Sequence, residues 1–375
     1  MNRNALKVQK MKFAALLVTL LAWSIAPAAS AEIATPDDTA RFLAGLSPSA
    51  DSPLVALTKD AAWQQHANYL NSIFGQQERN HLARVRAFSK ARLGTTHDTM
   101  LYMFSGPDAL HAVAFFPSAS NYVMSGLEPA GDIPPLTSLP RGTVQRTLRN
   151  LEVEMNSLLS ISFFITKNMR SQLNTGPVYG TLPVIYVFLA RSGKTIHETK
   201  FVNLDSEGNE RAPNDPGVKS TAKGVKIVFS AGEGPMQTLY YFSTNLANDG
   251  VKNSGFLAFC EKLGPADSFV KSASYLLHSG NFSTVRNFML DHSATILQDD
   301  SGIPVRYFDR KTWQLQPFGR YSGPIAIFAQ HYQPQMAEVF RRGQSIPIDF
   351  GLGYRWRLND SNLLLAQKMA EPKPN

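Results

Sequence analysis

The period of the hydrophobic positions changes several times along the chain, most clearly between residues 99 and 131. Leu101–Phe104 is a short apolar run, and Ser105-Gly-Pro-Asp108 then opens a segment with helical spacing. Asn121–Ser125 is a second apolar run, which ends at Gly126. Short apolar runs bounded by glycine and proline are typical of buried strands. The stretch therefore predicts strand, helix and strand, with both strands inside one sheet and Asp108 at the helix N-terminus.

The remainder of the chain mixes helical and strand-like periods. Apolar residues at helical spacing predict helices over 60–90, 143–173, 181–191, 254–262, 267–278, 283–291, 325–332 and 335–342. Valine, isoleucine, phenylalanine and tyrosine are typical of strands, which we predict over 195–204, 225–230, 238–243, 294–298, 305–308, 352–358 and 363–367. The last six segments would pair two by two: 225–230 with 238–243, 294–298 with 305–308, and 352–358 with 363–367. We expect an α/β fold, a mixed β-sheet with helices packed on its faces, including β-hairpins in the C-terminal half.

The N-terminus has the three parts of a secretory signal peptide. Met1–Lys12 carries four cations and no acid, Phe13–Ile25 is apolar, and Ala29-Ser-Ala31 is a small-residue cleavage site. The apolar run is too short to span a bilayer comfortably. We therefore predict cleavage of residues 1–31 after Ala31, a periplasmic or secreted location, and no transmembrane segment in the mature chain.

Composition suggests one large folded unit. Residues 32–52 are polar with proline and serine and predict a loose N-terminal arm, whereas 53–375 predict one globular unit, or two lobes divided near 205–222. The only cysteine, Cys260, excludes an internal disulfide. The net charge of +8 falls to +4 without the four cations of the signal segment, so it gives no support for a nucleic-acid partner. Without nucleotide-binding motifs or histidine pairs at metal-ligand spacing, we expect no cofactor and no metal.

Asp108, His111 and Glu128 are the first candidate site. His111 lies one turn after Asp108 on the same helix face, and Glu128 follows the next strand. Two carboxylates and an imidazole can perform acid–base chemistry or bind a cation. The alternative is structural: Asp108 caps the helix together with Ser105, His111 packs, and Glu128 holds a turn. Capping alone would explain Asp108, so the structural alternative is favoured.

Asp299, Asp300 and Arg306 are the second candidate. Adjacent carboxylates can hold calcium or shift each other's pKa. The sequence Asp299-Asp-Ser-Gly302 is equally typical of an ordinary hairpin turn, which is the favoured alternative.

The third candidate is a basic, aromatic C-terminal region. Strict alternation over 352–358 would place Arg355 and Arg357 side by side on one strand face, with Arg320 and Arg341 as further members of an anion site. Arginines beside aromatic rings suit anionic or sugar-like ligands. A solvated face beside ordinary core aromatics is the alternative.

Several stretches resemble a family of exported bacterial proteins that has no established activity. They are FSGPDALHAVAFFP, NYVMSGLEP, ILQDDSGIPVRYF, FGRYSGPIAIF and FGLGYRWRLNDSNLLLA. The resemblance extends from about Trp63 onward, which implies one integrated unit, and it implies no catalytic residue.

The sequence favours a non-catalytic function. We expect binding of an anionic or sugar-like small molecule or of a cell-envelope component. The alternative is a periplasmic hydrolase that uses Asp108, His111 and Glu128. The geometry of these three side chains distinguishes the two hypotheses, because the hydrolase requires them to meet in one open pocket.

Overall fold

The structure, a computed structural model, describes residues 33–94, 96–161, 176–216 and 222–369. The predicted signal peptide and the last part of the helix predicted over 143–173 lie outside these ranges. Residues from Ile33 onward form one compact unit. The strands on either side of the segment 205–222 pair with each other in a single sheet.

Ten helices surround this sheet in the described residues. They are α1 (Pro36–Leu43), α2 (Ala61–Gln77), α3 (Ala83–Arg92), α4 (Ala109–Phe115), α5 (Arg141–Ile161), α6 (Leu182–Arg191), α7 (Asn248–Val251), α8 (Phe256–Lys262), α9 (Ser283–His292) and α10 (Pro334–Arg342). A π-helical turn, Glu78–Leu82, joins α2 to α3 without a break. Within the described residues, no helix combines the length and apolar character needed to cross a membrane.

The sheet has ten strands. They are β1 (Thr99–Tyr102), β2 (Asn121–Gly126), β3 (Thr195–Leu204), β4 (Glu210–Arg211), β5 (Lys223–Ser230), β6 (Gln237–Ser243), β7 (Ala266–Val270), β8 (Ser293–Gln298), β9 (Trp313–Gly319) and β10 (Asn362–Lys368). Their order is β4-β3-β5-β6-β2-β1-β7-β8-β10-β9. The central strands β6, β2, β1, β7 and β8 are parallel, and the flanking pairs are antiparallel. The predicted mixed α/β fold is confirmed.

The two faces of the sheet are covered by different helices. One core contains Tyr102 of β1 together with Leu110 of α4, and the other contains Leu101 of β1 together with Val285 of α9. Helix α4 connects β1 to β2, whereas α9 connects β7 to β8. The neighbouring strands β1 and β7 therefore send their connections over opposite faces. In open α/β sheets this divergence leaves a crevice at the carboxyl ends of the two strands.

Several local predictions are confirmed. Strands β1 and β2 pair in parallel inside one sheet, and β5 and β6 form a hairpin. Asp108 lies at the N-terminus of α4, where its side chain accepts a hydrogen bond from the His111 backbone N–H. Ser105 does not cap this helix as expected; its hydroxyl donates to the backbone oxygen of Ser125 instead.

The loose arm expected over 32–52 is wrong. Residues 36–43 form α1, which Thr35 caps by accepting the Asp38 backbone N–H at 3.0 Å. Phe42 and Leu43 are fully buried. Although the segment is polar in composition, burial of these two large apolar side chains is enough to hold the helix against the rest of the fold.

Three further elements differ from the predictions. The segment 267–278 is not a helix, because β7 pairs with strands on both sides and is buried on both faces, which removes the alternating pattern. The segment 305–308 forms a short 3₁₀ turn. The segment 352–358 is irregular because Gly353 adopts a φ of +67°, outside the strand region. Strand β10 pairs with β9 instead.

Candidate functional site

The carboxyl ends of β1, β2, β6 and β7 surround a cavity of about 530 Å³, which we call the edge cavity. It lies at the crevice where the connections of β1 and β7 diverge. Its polar lining comes from four different strand ends and includes Ser105, Asp108, Glu128, Thr244, Lys271 and Ser272. The candidate residues Asp108 and Glu128 therefore face one cavity, but His111 does not line it, so the three side chains do not meet in one pocket as the hydrolase hypothesis requires.

Asp108 is held by donors from three directions. Its Oδ1 accepts the His111 backbone N–H at 3.2 Å and lies 2.9 Å from Nδ1 of the same residue. Its Oδ2 accepts the Tyr102 hydroxyl at 3.0 Å. The Lys271 Nζ lies 2.6 Å from the same oxygen. A carboxylate that accepts this many hydrogen bonds is strongly favoured over the protonated acid.

The ion pair between Lys271 and Asp108 is almost completely buried. Each side chain is only 2% exposed. Lys271 directly follows β7, so its position depends on a strand that the sequence predicts as a helix. Buried ion pairs lose hydration on both sides and are stable only when additional hydrogen bonds compensate. The donors around Asp108 provide that compensation, and Lys271 is a site residue that the sequence analysis missed.

The neighbours of Asp108 have a larger effect on its charge than burial does. Burial alone would raise the pKa of Asp108, but His111 and Lys271 outweigh it and hold that pKa well below the usual range. Burial also lowers the pKa of His111, which overcomes the opposite influence of Asp108. Asp108 is therefore a fixed carboxylate next to an imidazole whose protonation burial disfavours. It is a poor proton acceptor, which argues against its use as a catalytic base.

His111 contacts a second histidine. Its Nδ1 lies 2.9 Å from Oδ1 of Asp108, to which it can donate, and 3.1 Å from the Lys271 Nζ, from which it can accept. Its Nε2 takes the other role in each case and lies 2.9 Å from Nε2 of His81. His81 belongs to the π-helical turn between α2 and α3. Turns of this type inside α-helices are frequent at functional sites. The chain of contacts from Lys271 through Asp108 and His111 to His81 thus crosses the core.

This chain ends at a second cavity. A space of about 400 Å³, which we call the histidine cavity, is lined by His81 and His111 together with Arg84, Phe350 and Trp356. Asp108 and Lys271 line the edge cavity, so the polar chain lies between the two spaces. A His111 imidazole that Asp108 orients is a familiar arrangement in hydrolases. Here its outer nitrogen is directed to His81.

Glu128 differs from Asp108 in lacking partners. It is buried, and Tyr241 donates a hydrogen bond to its backbone oxygen at 2.9 Å. Among the described residues, no hydrogen bond or ion pair to the Glu128 carboxylate is present. Its carboxylate oxygens are not among the fully buried atoms that lack a partner, so they remain accessible from the edge cavity. Glu128 is therefore the acidic group that the edge cavity offers to a ligand.

Two hydroxyls in the wall of the edge cavity are also unpartnered. The Oγ1 of Thr244 and the Oγ of Ser272 are buried and have no hydrogen-bond partner in the described residues. Thr244 is 4% exposed as a residue. Buried hydroxyls in proteins are normally hydrogen-bonded, so exceptions that face a cavity indicate groups for a bound molecule.

The loop after Lys271 has an unusual backbone. Ser272, Ser274 and Tyr275 all have positive φ angles, of 54°, 51° and 56°. Such conformations cost about 1–3 kcal/mol each for residues other than glycine and cluster at functional sites. Tyr354 holds this loop, because its hydroxyl donates to the Ser272 carbonyl at 3.0 Å and accepts the Ser274 backbone N–H.

Asp299 and Asp300, the second candidate, stabilise the same loop. Asp299 accepts the backbone N–H of Ser272 at 2.9 Å, and Asp300 accepts the Tyr275 hydroxyl at 2.7 Å. Burial and the neighbouring Asp300 raise the pKa of Asp299 to about 7. Burial likewise raises the pKa of Asp300. The pair follows β8 and is buried, so the exposed hairpin turn expected here is wrong. Arg306 does not contact either carboxylate in the described residues.

The third candidate loses its geometric basis, because 352–358 is not a strand. Arg355 donates to the backbone oxygens of Gly323 and Pro324 and pairs with Asp360 at 3.3 Å. The other three arginines are on separate segments: Arg341 pairs with Glu338 on α10, Arg357 lies over the Trp356 ring, and Arg320 follows β9. Only Arg355 and Arg357 remain near each other in the chain, without the shared strand face that the sequence predicts.

Other chemistry finds little support in the described part of the chain. There, no group of three or more histidine, cysteine, aspartate or glutamate side chains could hold a metal ion. Cys260 is buried in α8, and burial raises the pKa of its thiol well above the usual value. A buried, protonated thiol is a poor nucleophile.

The functional residues that emerge are therefore Glu128, Thr244, Lys271 and Ser272, which follow the three strands β2, β6 and β7. Of these, only Glu128 could be selected from the sequence. No protein-family model matches this chain, and a search of curated proteins found no significant match.

Proposed function

We propose that this protein binds a small molecule in the edge cavity, through polar groups of the ligand that donate hydrogen bonds and carry no negative charge. The observation that carries this proposal is the Glu128 carboxylate, which lines the cavity and has no hydrogen bond or ion pair in the described residues. A ligand hydroxyl or amine would satisfy it, and the unpartnered oxygens of Thr244 and Ser272 would extend the set of contacts.

The charges of the lining support this choice. Lys271 and Asp108 cancel each other within a 2.6 Å contact. Glu128 then leaves the cavity with one negative charge that no described residue balances. An anionic ligand would be repelled there, whereas a sugar-like or amine-bearing ligand would be attracted. Of the two ligand classes expected from the sequence, the sugar-like class is supported and the anionic class is not.

Three soluble probes with different polar groups test the proposal. Benzylamine, phenyl glucoside and benzoate are titrated into the protein, and binding is followed by ligand-observed NMR. We expect binding of the amine and the glucoside, with little or no binding of benzoate. Glu128→Gln should weaken amine binding by about tenfold, because it removes a charged acceptor. Glu233→Gln, in the exposed turn between β5 and β6, is the matched control and should change nothing.

Two results would contradict the proposal. Preferential binding of benzoate would restore the anionic ligand expected from the sequence. Equal amine affinities of the wild type and Glu128→Gln would show that the carboxylate does not contact the ligand.

A hydrolase is the second candidate function. It is favoured by the contact of 2.9 Å between Asp108 and His111 and by the presence of Glu128 in the cavity that Asp108 lines. Because Asp108 is fixed as a carboxylate, Glu128 would have to serve as the general base. Chromogenic esters and glycosides test this candidate: hydrolysis that disappears in Glu128→Gln supports it, and absence of turnover leaves binding as the function.

We further propose that the protein acts outside the cytoplasm, in the periplasm or as a secreted protein. The support is the basic, apolar and small-residue pattern that ends at Ala31, together with the resemblance to exported proteins. N-terminal sequencing of the protein from the producing cells should find Glu32 as the first residue. An intact Met1 on exported material would contradict cleavage.

A further inference from the structure

The lining of the edge cavity changes in polarity from its floor to its mouth. The floor residues Asp108, Glu128, Thr244 and Lys271 are polar and buried. Half-buried aromatic rings follow, from Phe104, Phe282 and Phe328. The exposed lining residues include three aliphatic ones, Leu127 by 53%, Leu276 by 36% and Ile327 by 73%, beside the polar Asn245 and Ser274.

This gradient is the reverse of an ordinary protein surface. Exposed aliphatic residues are common when scattered, but here three of them, from three separate segments, line one opening. Leu127 follows β2, Leu276 begins a 3₁₀ turn after β7, and Ile327 lies in a 3₁₀ segment before α10. Their convergence on a cavity with a polar floor indicates a ligand with two chemically different ends.

We propose that the ligand of the edge cavity is an amphiphile, with an uncharged or cationic head on the polar floor and an alkyl chain along the aromatic and aliphatic wall. This inference rests on the proposed function, because it assigns the tail of the ligand whose head contacts Glu128. The aromatic wall suits a chain: the Phe104 and Phe282 rings lie 6.2 Å apart, and Phe328 packs on Tyr354 at 5.2 Å. A cavity of about 530 Å³ has room for a head group and part of a chain.

The energetic argument follows from burial of the chain. Each methylene group that leaves water for an apolar wall strengthens binding by roughly fourfold. Affinity should therefore rise with chain length while the chain covers the wall, and it should level off once further methylenes extend into solvent. A ligand without an alkyl chain would leave Leu127, Leu276 and Ile327, the three rim residues, in contact with water. It would therefore lack this gain in affinity.

A chain-length series provides the test. Alkylamines and alkyl glucosides from butyl to dodecyl are titrated below their micelle concentrations by calorimetry. We expect the dissociation constant to fall by roughly fourfold per methylene and then to reach a plateau. The double variant Leu127→Ser, Ile327→Ser should flatten this dependence on chain length. Ile33→Ser and Met236→Ser, at exposed apolar positions away from the cavity, are matched controls and should behave as the wild type.

The outcomes separate this inference from the proposed function. If benzylamine binds but chain length has no effect, the amphiphile is wrong and the proposed function stands. If no head group binds at any chain length, the proposed function itself is wrong. Binding to phosphatidylcholine vesicles without binding to any monomeric amphiphile would show that the rim contacts a membrane surface, and this would overturn the inference.

Discussion

In two aspartate clusters at the same edge of the sheet, the pKa values are shifted in opposite directions. Asp108 lies among Lys271, His111 and Tyr102 and is held as a carboxylate. Asp299 and Asp300 lie beside each other without a hydrogen bond from a cationic side chain among the described residues, and their pKa values are raised. Burial is common to both clusters. The difference shows that the partner, rather than burial, decides the charge of a buried acid.

The two clusters share one loop. Lys271 neutralises Asp108, and the next residue, Ser272, donates its backbone N–H to Asp299. The strained backbone between Ser272 and Tyr275 is thus held from both sides. This loop lines the edge cavity. The ion pair of Lys271 with Asp108 therefore sets the charge of the cavity floor, and the aspartates Asp299 and Asp300, whose pKa values are raised, hold the conformation of the loop.

Removal of the cation should produce the largest effect. Lys271→Met leaves Asp108 charged and buried without its partner, so we expect the free energy of unfolding at neutral pH to fall by about 3–5 kcal/mol. Lys200→Met is the matched control, because Lys200 pairs with Glu198 at the same distance of 2.6 Å but on an exposed strand face. It should cost less than about 1 kcal/mol.

Denaturant titrations at equilibrium measure both values. Adding Asp108→Asn to Lys271→Met should recover part of the loss, since it removes the unpaired charge. Equal losses for the buried and the exposed lysine would mean that the buried pair has no special role.

The second largest effect should come from acidification, which should destabilise the cluster around Asp108. Burial, with the nearby His111, Lys271 and Arg84, lowers the pKa of His81 from 6.5 to about 3, and only Asp108 opposes this. Between these two pKa values the unfolded chain binds a proton at His81 that the folded protein does not bind. The free energy of unfolding therefore decreases as the pH falls from 6.5 to about 3. His81→Gln keeps a donor for His111 and should reduce the loss at pH 4 by about 2–3 kcal/mol.

Unfolding free energies measured across this pH range test the prediction. His197→Gln, at an exposed position on β3, is the control and should retain the pH dependence of the wild type. A variant His81→Gln that loses stability on acidification as steeply as the wild type would show that the folded protein protonates His81 readily.

The Asp299–Asp300 pair should give the smallest effect, with the opposite sign. A folded pKa of about 7 for Asp299, raised from 3.8, favours the folded state at low pH, and this contribution is lost as the pH rises from 3.8 to 7. Asp300→Asn removes the repulsion and keeps one side-chain oxygen to accept the Tyr275 hydroxyl, which donates to Asp300 at 2.7 Å. We expect a gain of about 1–2 kcal/mol at pH 8.

The same pH series measures this gain, with the exposed Asp249→Asn as control. A loss of stability in Asp300→Asn at pH 8 would mean that Asp300 contributes as a charge and that the pair is not strained by repulsion.

The sequence predicts the part of the site that depends on local signals. The short apolar run before Ser105-Gly-Pro-Asp108 indicates a strand followed by a helix, and this places Asp108 and His111 correctly. Sequence analysis also expects Asp108→Ala to cost about 1 kcal/mol through the helix end alone. The ion pair with Lys271 makes that figure too small.

The missed residues depend on contacts between distant positions. Lys271 lies 163 positions after Asp108, and it follows a central strand whose burial on both faces leaves no alternating pattern. The Asp299-Asp-Ser-Gly302 sequence is typical of exposed turns, and only the sheet topology shows that it is buried. The alternating segment 352–358 does not form a strand, because Gly353 has a positive φ, which strand residues do not adopt. The position also excludes a side chain, since a Cβ atom there would lie 2.2 Å from Oδ2 of Asp299.

The central claim is that Lys271 and Asp108 form a fixed, neutral pair and leave Glu128 as the uncompensated charge of the edge cavity. Carboxyl carbon chemical shifts of aspartate, followed by NMR from pH 8 to pH 4 and assigned with the variants Asp108→Asn and Asp300→Asn, test it directly. We expect the Asp108 signal to stay constant over this range and the signal of the Asp299–Asp300 pair to move near pH 7. An Asp108 signal that titrates within the range would contradict the fixed pair and the ligand charge derived from it.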